Sequence, residues 1–193
     1  MSDLARGLLF LVSCVFTQNA VFDRMLAPGV FFRKDGVKTA AVFAAAVTVV
    51  MTLTALCGWI LSHAVLKPLH AEYLQTLAFA VTAALLTWIV TTVVSKARLA
   101  WSEHLSDVVG LLMAGQAVLA VAVLNMEKGY GLAQAVMNGL FSGLGFLLAL
   151  VCMAGVQERL KTSKIPGSFK GLPISLVSAG LIALAFMGVA GLG

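Results

Sequence analysis

A polar segment within the first apolar run of the chain contains the residues best suited to chemistry. They are an amide pair and an acid–base pair, Gln18, Asn19, Asp23 and Arg24, followed by the break Pro28-Gly29. Lipid satisfies neither charges nor freed backbone groups, so such a segment must line a protein interior or a water-filled cavity. Broken membrane helices of this kind carry the binding site of many transporters. The alternative is that the first helix ends near Val21, which leaves the acid–base pair at the membrane interface.

Gln116, in the fourth apolar run, completes the candidate polar membrane site of Gln18, Asn19, Asp23, Arg24 and Gln116. Its side-chain amide can donate and accept hydrogen bonds across helices. The commoner role of such amides in membranes is to stabilise helix packing. The site therefore has two interpretations, a transport or permeation site and a purely structural contact.

Composition places these residues in a membrane protein. The chain has 193 residues, of which 61% are hydrophobic and 11% are charged. Soluble domains carry about 25% charged residues. Little polar surface remains for a separate soluble catalytic domain, and the sequence contains no Walker motif, dinucleotide fingerprint, nucleophile elbow or zinc spacing. We therefore expect no catalytic residues in this chain and no nucleic-acid partner.

The elements that position the site are predicted to be six transmembrane helices in one all-α domain. The spans cover about 4–28, 39–63, 70–94, 105–125, 130–156 and 172–192, each near or above the roughly 20 residues that cross a bilayer. Three helices per half predict two inverted repeats, about 1–98 and 99–193. Asn19-Ala20-Val21 and Gln116-Ala117-Val118 are corresponding sequences in the two halves, so we expect the first and fourth helices to be the broken pair.

Orientation follows from the basic residues of the connections. Nine lie in the first-to-second, third-to-fourth and fifth-to-sixth connections, whereas Arg6, Lys67 and Lys128 are the three on the opposite side. The positive-inside rule then places both termini outside and the basic connections in the cytoplasm. The basic residues are also expected to contact anionic membrane lipid.

Two further features of the apolar runs have structural interpretations. Gly139 and Gly143 form a GxxxG motif, which permits close helix packing. Asn125 and Asn138 fall near predicted helix ends, where capping explains them. We therefore expect both features to support the fold.

The cysteines and histidines do not form a metal-binding pattern. Cys14, Cys57 and Cys152 lie in apolar runs without a metal-binding spacing, so we expect packing roles and no metal site. His63 flanks the predicted turn between the second and third spans. We expect an interfacial position for its side chain.

The whole chain resembles the RnfA/NqrE (RsxA) family of membrane subunits, from the Rnf and Na-translocating NADH:quinone reductase electron-transport complexes. The resemblance covers about residues 8–193. The segments that carry it are Met51–Trp59, Pro68–Phe79, Ala122–Asn125, Glu158–Leu160, Ile165–Gly171, Ser178–Leu181, Leu184–Gly188 and Gly191–Leu192.

The resemblance implies transmembrane electron transfer coupled to ion movement, in the bacterial inner membrane. It implies pairing with an oppositely oriented homologue, RnfE or NqrD, and a [2Fe-2S] cluster held by two cysteines from each subunit. One family cysteine lies at the break of the first helix and one in the fourth helix. Those positions are Gly29 and Gln116 in this sequence. Neither residue supplies a thiolate, the ligand that iron–sulfur clusters require.

Two functional hypotheses follow. The first is a membrane subunit of an Rnf/Nqr-type ion-translocating complex that scaffolds electron transfer without binding a cofactor of its own. The second is a cluster-less paralogue that acts as a transporter or structural subunit.

Overall fold

The computed structural model describes residues 37–66, 68, 72–96, 108–163 and 166–190. These residues form five α-helices: α1 (Val37–Leu61), α2 (Gln75–Lys96), α3 (Val108–Glu127), α4 (Leu132–Thr162) and α5 (Leu172–Ala190). A π-helical turn, Ser62–Leu66, extends α1, and short 3₁₀ turns, Glu72–Leu74 and Gly167–Phe169, precede α2 and α5. No strand occurs among the described residues, which confirms the all-α prediction for this part of the chain. The first predicted span lies outside it.

The predicted second to sixth spans correspond to α1–α5, but the expected break in the fourth helix is wrong. α3 is one uninterrupted helix from Val108 to Glu127. It contains no proline, and isolated glycines such as Gly115 weaken a helix by only about 1 kcal/mol, which does not break it. The break expected in the first helix, at Pro28-Gly29, falls outside the described residues.

Length and hydropathy support membrane spanning for part of the described chain. Ala40–Ala64 and Leu132–Thr162 are long and apolar enough to cross a bilayer. Gln75–Val90, Gly115–Glu127 and Leu172–Gly188 are shorter apolar helical stretches. At 1.5 Å per residue, α4 alone is about 46 Å long, which exceeds the roughly 30 Å of a hydrocarbon core.

α1 is the central helix of the described bundle and packs against α2, α3 and most extensively α4. The core between these helices is built from small and medium apolar side chains together with Phe43 and Phe146. The GxxxG prediction is confirmed. A methyl group added at Gly139 would lie 2.8 Å from the Ala55 Cβ, and one added at Gly143 would lie 2.9 Å from the Thr48 Cα. The two glycines therefore let α4 approach the backbone of α1 within the chain.

Two helices leave long apolar faces exposed. On α2 the exposed side chains include Leu77, Val81, Leu85 and Trp88, and on α5 they include Leu172, Leu176, Leu181, Leu184 and Met187. Apolar faces of this extent require a lipid or protein neighbour. They fit the periphery of a membrane-embedded bundle.

Candidate functional site

The structure describes Gln116 alone among the five residues of the predicted polar site. Gln18, Asn19, Asp23 and Arg24 lie outside the described residues, as does Gly29. Gln116 lies on α3, and its side chain is exposed while the neighbouring Ala117 and Val118 are buried. The structure therefore shows the helix and the exposure of this one amide of the predicted site.

Gln116 lies in the middle of its helix. It is eight residues after Val108 and eleven before Glu127, which places it about 12 Å and 16 Å from the two ends. None of the other described residues donates a hydrogen bond to the Gln116 amide or accepts one from it. An amide without a partner at this depth costs several kcal/mol in lipid. If α3 spans a bilayer, the face that carries Gln116 requires a polar protein neighbour or water.

A second polar feature lies between α3 and α4, and its two asparagines were named in the sequence without their pairing being foreseen. Asn125 and Asn138 are each 1% exposed. The Asn138 Nδ2 donates to the Asn125 Oδ1 at 2.6 Å, and the Asn125 Nδ2 donates to the Ala135 carbonyl oxygen at 3.2 Å. The Tyr130 amide donates to the Asn125 carbonyl oxygen at 3.1 Å. This set of bonds, the Asn125–Asn138 pair, fixes the hairpin of α3 and α4.

Capping is therefore the wrong interpretation of these two asparagines. Asn138 is six residues beyond the first residue of α4, Leu132, and Asn125 still lies within α3. Both side chains are buried in the hairpin, where the Asn138 Nδ2 donates to the Asn125 Oδ1. The available sequence signal was two amides in apolar runs on either side of one short turn.

An aromatic cluster closes the same end of the bundle. The Trp59 Nε1 donates to the Tyr130 carbonyl oxygen at 3.2 Å. The Trp59 and His63 rings stack with centroids 4.1 Å apart and planes at 18°, and the His63 Nδ1 lies 3.1 Å from the Trp59 carbonyl oxygen. The His63 side chain is exposed. This arrangement joins α1 to the turn between α3 and α4, and the interfacial position of His63 stays a prediction.

Thr54 differs from five other threonines of the described helices. Thr48, Thr52, Thr82, Thr87 and Thr92 each donate to the carbonyl oxygen four residues earlier. Thr54 is 0% exposed, and its hydroxyl is the one buried side-chain polar atom of the described chain that has no hydrogen-bond partner. A buried hydroxyl of this kind carries an uncompensated desolvation cost.

Thr54→Val is accordingly expected to leave the free energy of unfolding unchanged or to raise it by about 1 kcal/mol, because it removes an unsatisfied group. The matched variant is Thr87→Val. Thr87 is also buried, at 3% exposed, but its hydroxyl donates to the Ala83 carbonyl oxygen at 2.7 Å, so its loss is expected to cost about 1 kcal/mol. Thermal unfolding of the two full-length variants in detergent measures the difference. Equal destabilisation by both would contradict this assignment.

The described cysteines do not form a cofactor site. Cys57 on α1 is partly buried and Cys152 on α4 is exposed, and both are free thiols. Within the described ranges no group of three or more His, Cys, Asp or Glu side chains could hold a metal ion. Cys14 lies outside the described residues. Within the described residues, the geometry therefore offers hydrogen-bonding amides in a helical bundle.

Comparison with known proteins identifies the family. A family model described as "Rnf-Nqr subunit, membrane protein" matches residues 8–193. The chain belongs to the Rnf-Nqr membrane subunit family. This confirms the resemblance found in the sequence and establishes a membrane protein.

Individual relatives match over almost their whole length. One is a subunit of the "Ion-translocating oxidoreductase complex" of Syntrophotalea carbinolica, to which the chain is 42% identical over 188 residues, covering 96% of each chain. Another belongs to the "Na(+)-translocating ferredoxin:NAD(+) oxidoreductase complex" of Acetobacterium woodii. It is 36% identical over 186 residues, covering 96% of this chain and 97% of that protein. The corresponding "Ion-translocating oxidoreductase complex" protein of Azotobacter vinelandii is 38% identical over 186 residues, with 95% and 96% covered.

Proposed function

We propose that this Rnf-Nqr family member is an integral membrane subunit of an Rnf-type ion-translocating oxidoreductase complex. The observation that carries the proposal is its near-full-length similarity to proteins named as subunits of such complexes. An all-helical, apolar architecture without an assembled catalytic site in the described residues fits a scaffold role. The redox chemistry would then belong to other subunits, and this chain would supply the membrane framework.

The proposal also includes a membrane topology that is more detailed than family membership establishes. It has six spans in two inverted repeats, a homologous partner of the RnfE/NqrD type, and both termini outside the bacterial inner membrane. The charges at the two ends of the described bundle support the orientation. The end where α1 begins and α4 ends exposes Lys161 and Lys170 and carries Arg159 and Glu158, whereas the opposite end exposes Lys128 and Glu127. The more basic end is the one predicted to be cytoplasmic.

The residues at the family's ligand positions do not supply the donor atoms that a [2Fe-2S] cluster needs. The family's cysteine positions, as the sequence resemblance assigns them, are Gly29 and Gln116. Gln116 presents a neutral amide on α3, and the thiols of Cys57 and Cys152 lie on two other helices. Iron–sulfur clusters are held by thiolates, in some cases with imidazoles. We therefore propose that this chain contributes no cluster ligand.

Co-purification tests both parts of the proposal. The full-length chain, isolated with its natural partners from mild detergent, is expected to bring down flavin- or iron–sulfur-bearing membrane subunits. Iron and acid-labile sulfide are expected to track the partner subunits and to be at background in the chain alone. An EPR signal of a reduced [2Fe-2S] centre in the isolated chain would overturn the ligand assignment. Recovery of the chain without any redox subunit would count against the complex.

A transporter or structural paralogue is the second candidate, and the exposed mid-helix amide of Gln116 favours it. A polar group at this depth suits a polar permeation path as well as it suits a contact between subunits. This candidate predicts substrate-dependent uptake into liposomes that contain the purified chain alone, with uptake reduced by Asp23→Asn. Absence of uptake into liposomes that contain the chain alone would exclude the transporter candidate.

A further inference from the structure

The segment between α4 and α5 presents an aromatic side chain and a cation on an ordered turn. The Phe169 amide donates to the Pro166 carbonyl oxygen at 3.0 Å, and the Lys170 amide donates to the Gly167 carbonyl oxygen at 3.3 Å. Gly171 has a φ of +93°, a conformation that L side chains rarely adopt. These restraints hold Phe169 with 52% of its surface exposed, and the Lys170 side chain is exposed beside it.

The length of α5 sets the depth of this turn in the membrane. α5 has 19 residues and begins at Leu172, so it is about 28 Å long, close to the roughly 30 Å of a hydrocarbon core. If α5 spans that core, Leu172 lies at its edge. Phe169 and Lys170 then lie in the headgroup layer, two to three residues beyond the hydrocarbon.

The apolar part of the turn continues the exposed face of α5. Leu172 is 58% exposed and Leu176 is 55% exposed, one helical turn apart. Phe169 precedes Leu172 by three residues. This apolar series passes from the helix into the turn and lies at the edge of the hydrocarbon core if α5 spans it. That position favours acyl chains over a soluble protein as its neighbour.

Several exposed basic side chains lie at this end of the bundle, at the level expected for lipid headgroups. α4 is about 46 Å long at 1.5 Å per residue, so its last turns reach beyond the hydrocarbon core at a tilt of up to about 40°. These turns expose Arg159 and Lys161, and Lys170 follows in the connecting turn. Glu158 is the one acidic residue among the described residues from 156 to 172. The local charge is therefore positive and complements a phosphate.

We propose that the end of α4 and the turn before α5 form a binding surface for an anionic phospholipid. Arg159 and Lys170 bind the headgroup phosphate, and Phe169 and Leu172 contact the upper acyl chains. The proposal requires that the chain spans a membrane, as the proposed function also does, but it is independent of electron transfer.

Lipid selectivity in nanodiscs tests the surface. The full-length chain is reconstituted with phosphatidylcholine and phosphatidylglycerol, and spin-labelled forms of each lipid report their relative association by EPR. A basic residue near an anionic surface contributes a roughly fivefold preference. We expect phosphatidylglycerol to be preferred about fivefold or more at low salt, and Arg159→Gln/Lys170→Gln to lower that preference by about fivefold or more, with Lys161 accounting for any remainder. High salt is expected to weaken the wild-type preference.

The matched control is Lys128→Gln, which removes an exposed cation at the other end, where Glu127 neighbours it. It is expected to leave the preference unchanged. Three results would overturn the proposal: equal association of both lipids with the wild type, an equal loss in the control, or displacement by inorganic phosphate at constant ionic strength, which would indicate a free-phosphate site. A retained lipid preference in a chain that binds no redox partner would refute the proposed complex and leave the lipid surface standing.

Discussion

Gly143→Leu is expected to abolish the close packing of α4 on α1. A methyl group at this position already lies 2.9 Å from the Thr48 Cα, which is backbone and cannot rotate away. The helices must separate to admit a larger side chain, which loses contacts along the core shared by Met51, Phe146 and Leu150. Overpacking of this kind costs up to about 3 kcal/mol, equivalent to a fall in Tm of about 6–12 °C for a chain of this size.

Gly155→Leu provides the control on the same helix. Gly155 also lies on α4, but a methyl group added there meets nothing within 4 Å. Thermal unfolding of the two full-length variants in detergent, monitored by size-exclusion chromatography, compares their Tm values directly. Helix propensity favours leucine over glycine equally at both positions, so the difference isolates the contact with α1. A Tm for Gly143→Leu that matches the control would show that the two helices do not pack here.

The second large effect is expected for Asn138→Asp. The substitution keeps the shape of the side chain but replaces the Nδ2 donor with an oxygen, which then faces the Asn125 Oδ1 at the 2.6 Å position. Two acceptors meet in a site that is 1% exposed, and the buried polar residues of the described chain include no lysine, arginine or histidine that could neutralise a carboxylate there. An uncompensated buried charge costs about 3–5 kcal/mol. We therefore expect a variant that is recovered poorly or unfolds at a markedly lower temperature.

Gln134→Glu is the matched amide-to-acid change one turn earlier on α4. Gln134 is exposed, and an acid near a helix N-terminus interacts favourably with the helix dipole. Its Tm is expected to stay within a few degrees of the wild type. The double variant Asn125→Leu/Asn138→Leu removes both amides and is expected to be more stable than Asn138→Asp, since it places no charge in the buried site. A Tm of Asn138→Asp equal to that of Gln134→Glu would show that the Asn125–Asn138 pair does not stabilise the hairpin.

Much of the secondary structure could be predicted from hydropathy alone. The predicted spans at 39–63, 105–125 and 172–192 coincide within a few residues with α1, α3 and α5. Lipid leaves no alternative to the helix for a long apolar run, because every backbone group must be satisfied within the segment. The expected break in α3 came from its correspondence with the first helix. It failed because α3 itself contains no proline to enforce a break.

Hydropathy and family motifs were enough to predict a helical membrane protein of the Rnf-Nqr family and to locate its polar residues of interest. The faces that the described polar residues occupy could be read from the packing of the helices alone. Asn125 and Asn138 proved to be partners, and Gln116 proved to lie on an exposed face. The reason is that the solvent of a membrane helix is lipid. Lipid-facing residues are as apolar as core residues, so hydrophobic periodicity does not distinguish a packed face from an exposed one, and only the contacts themselves assign each polar group its neighbour.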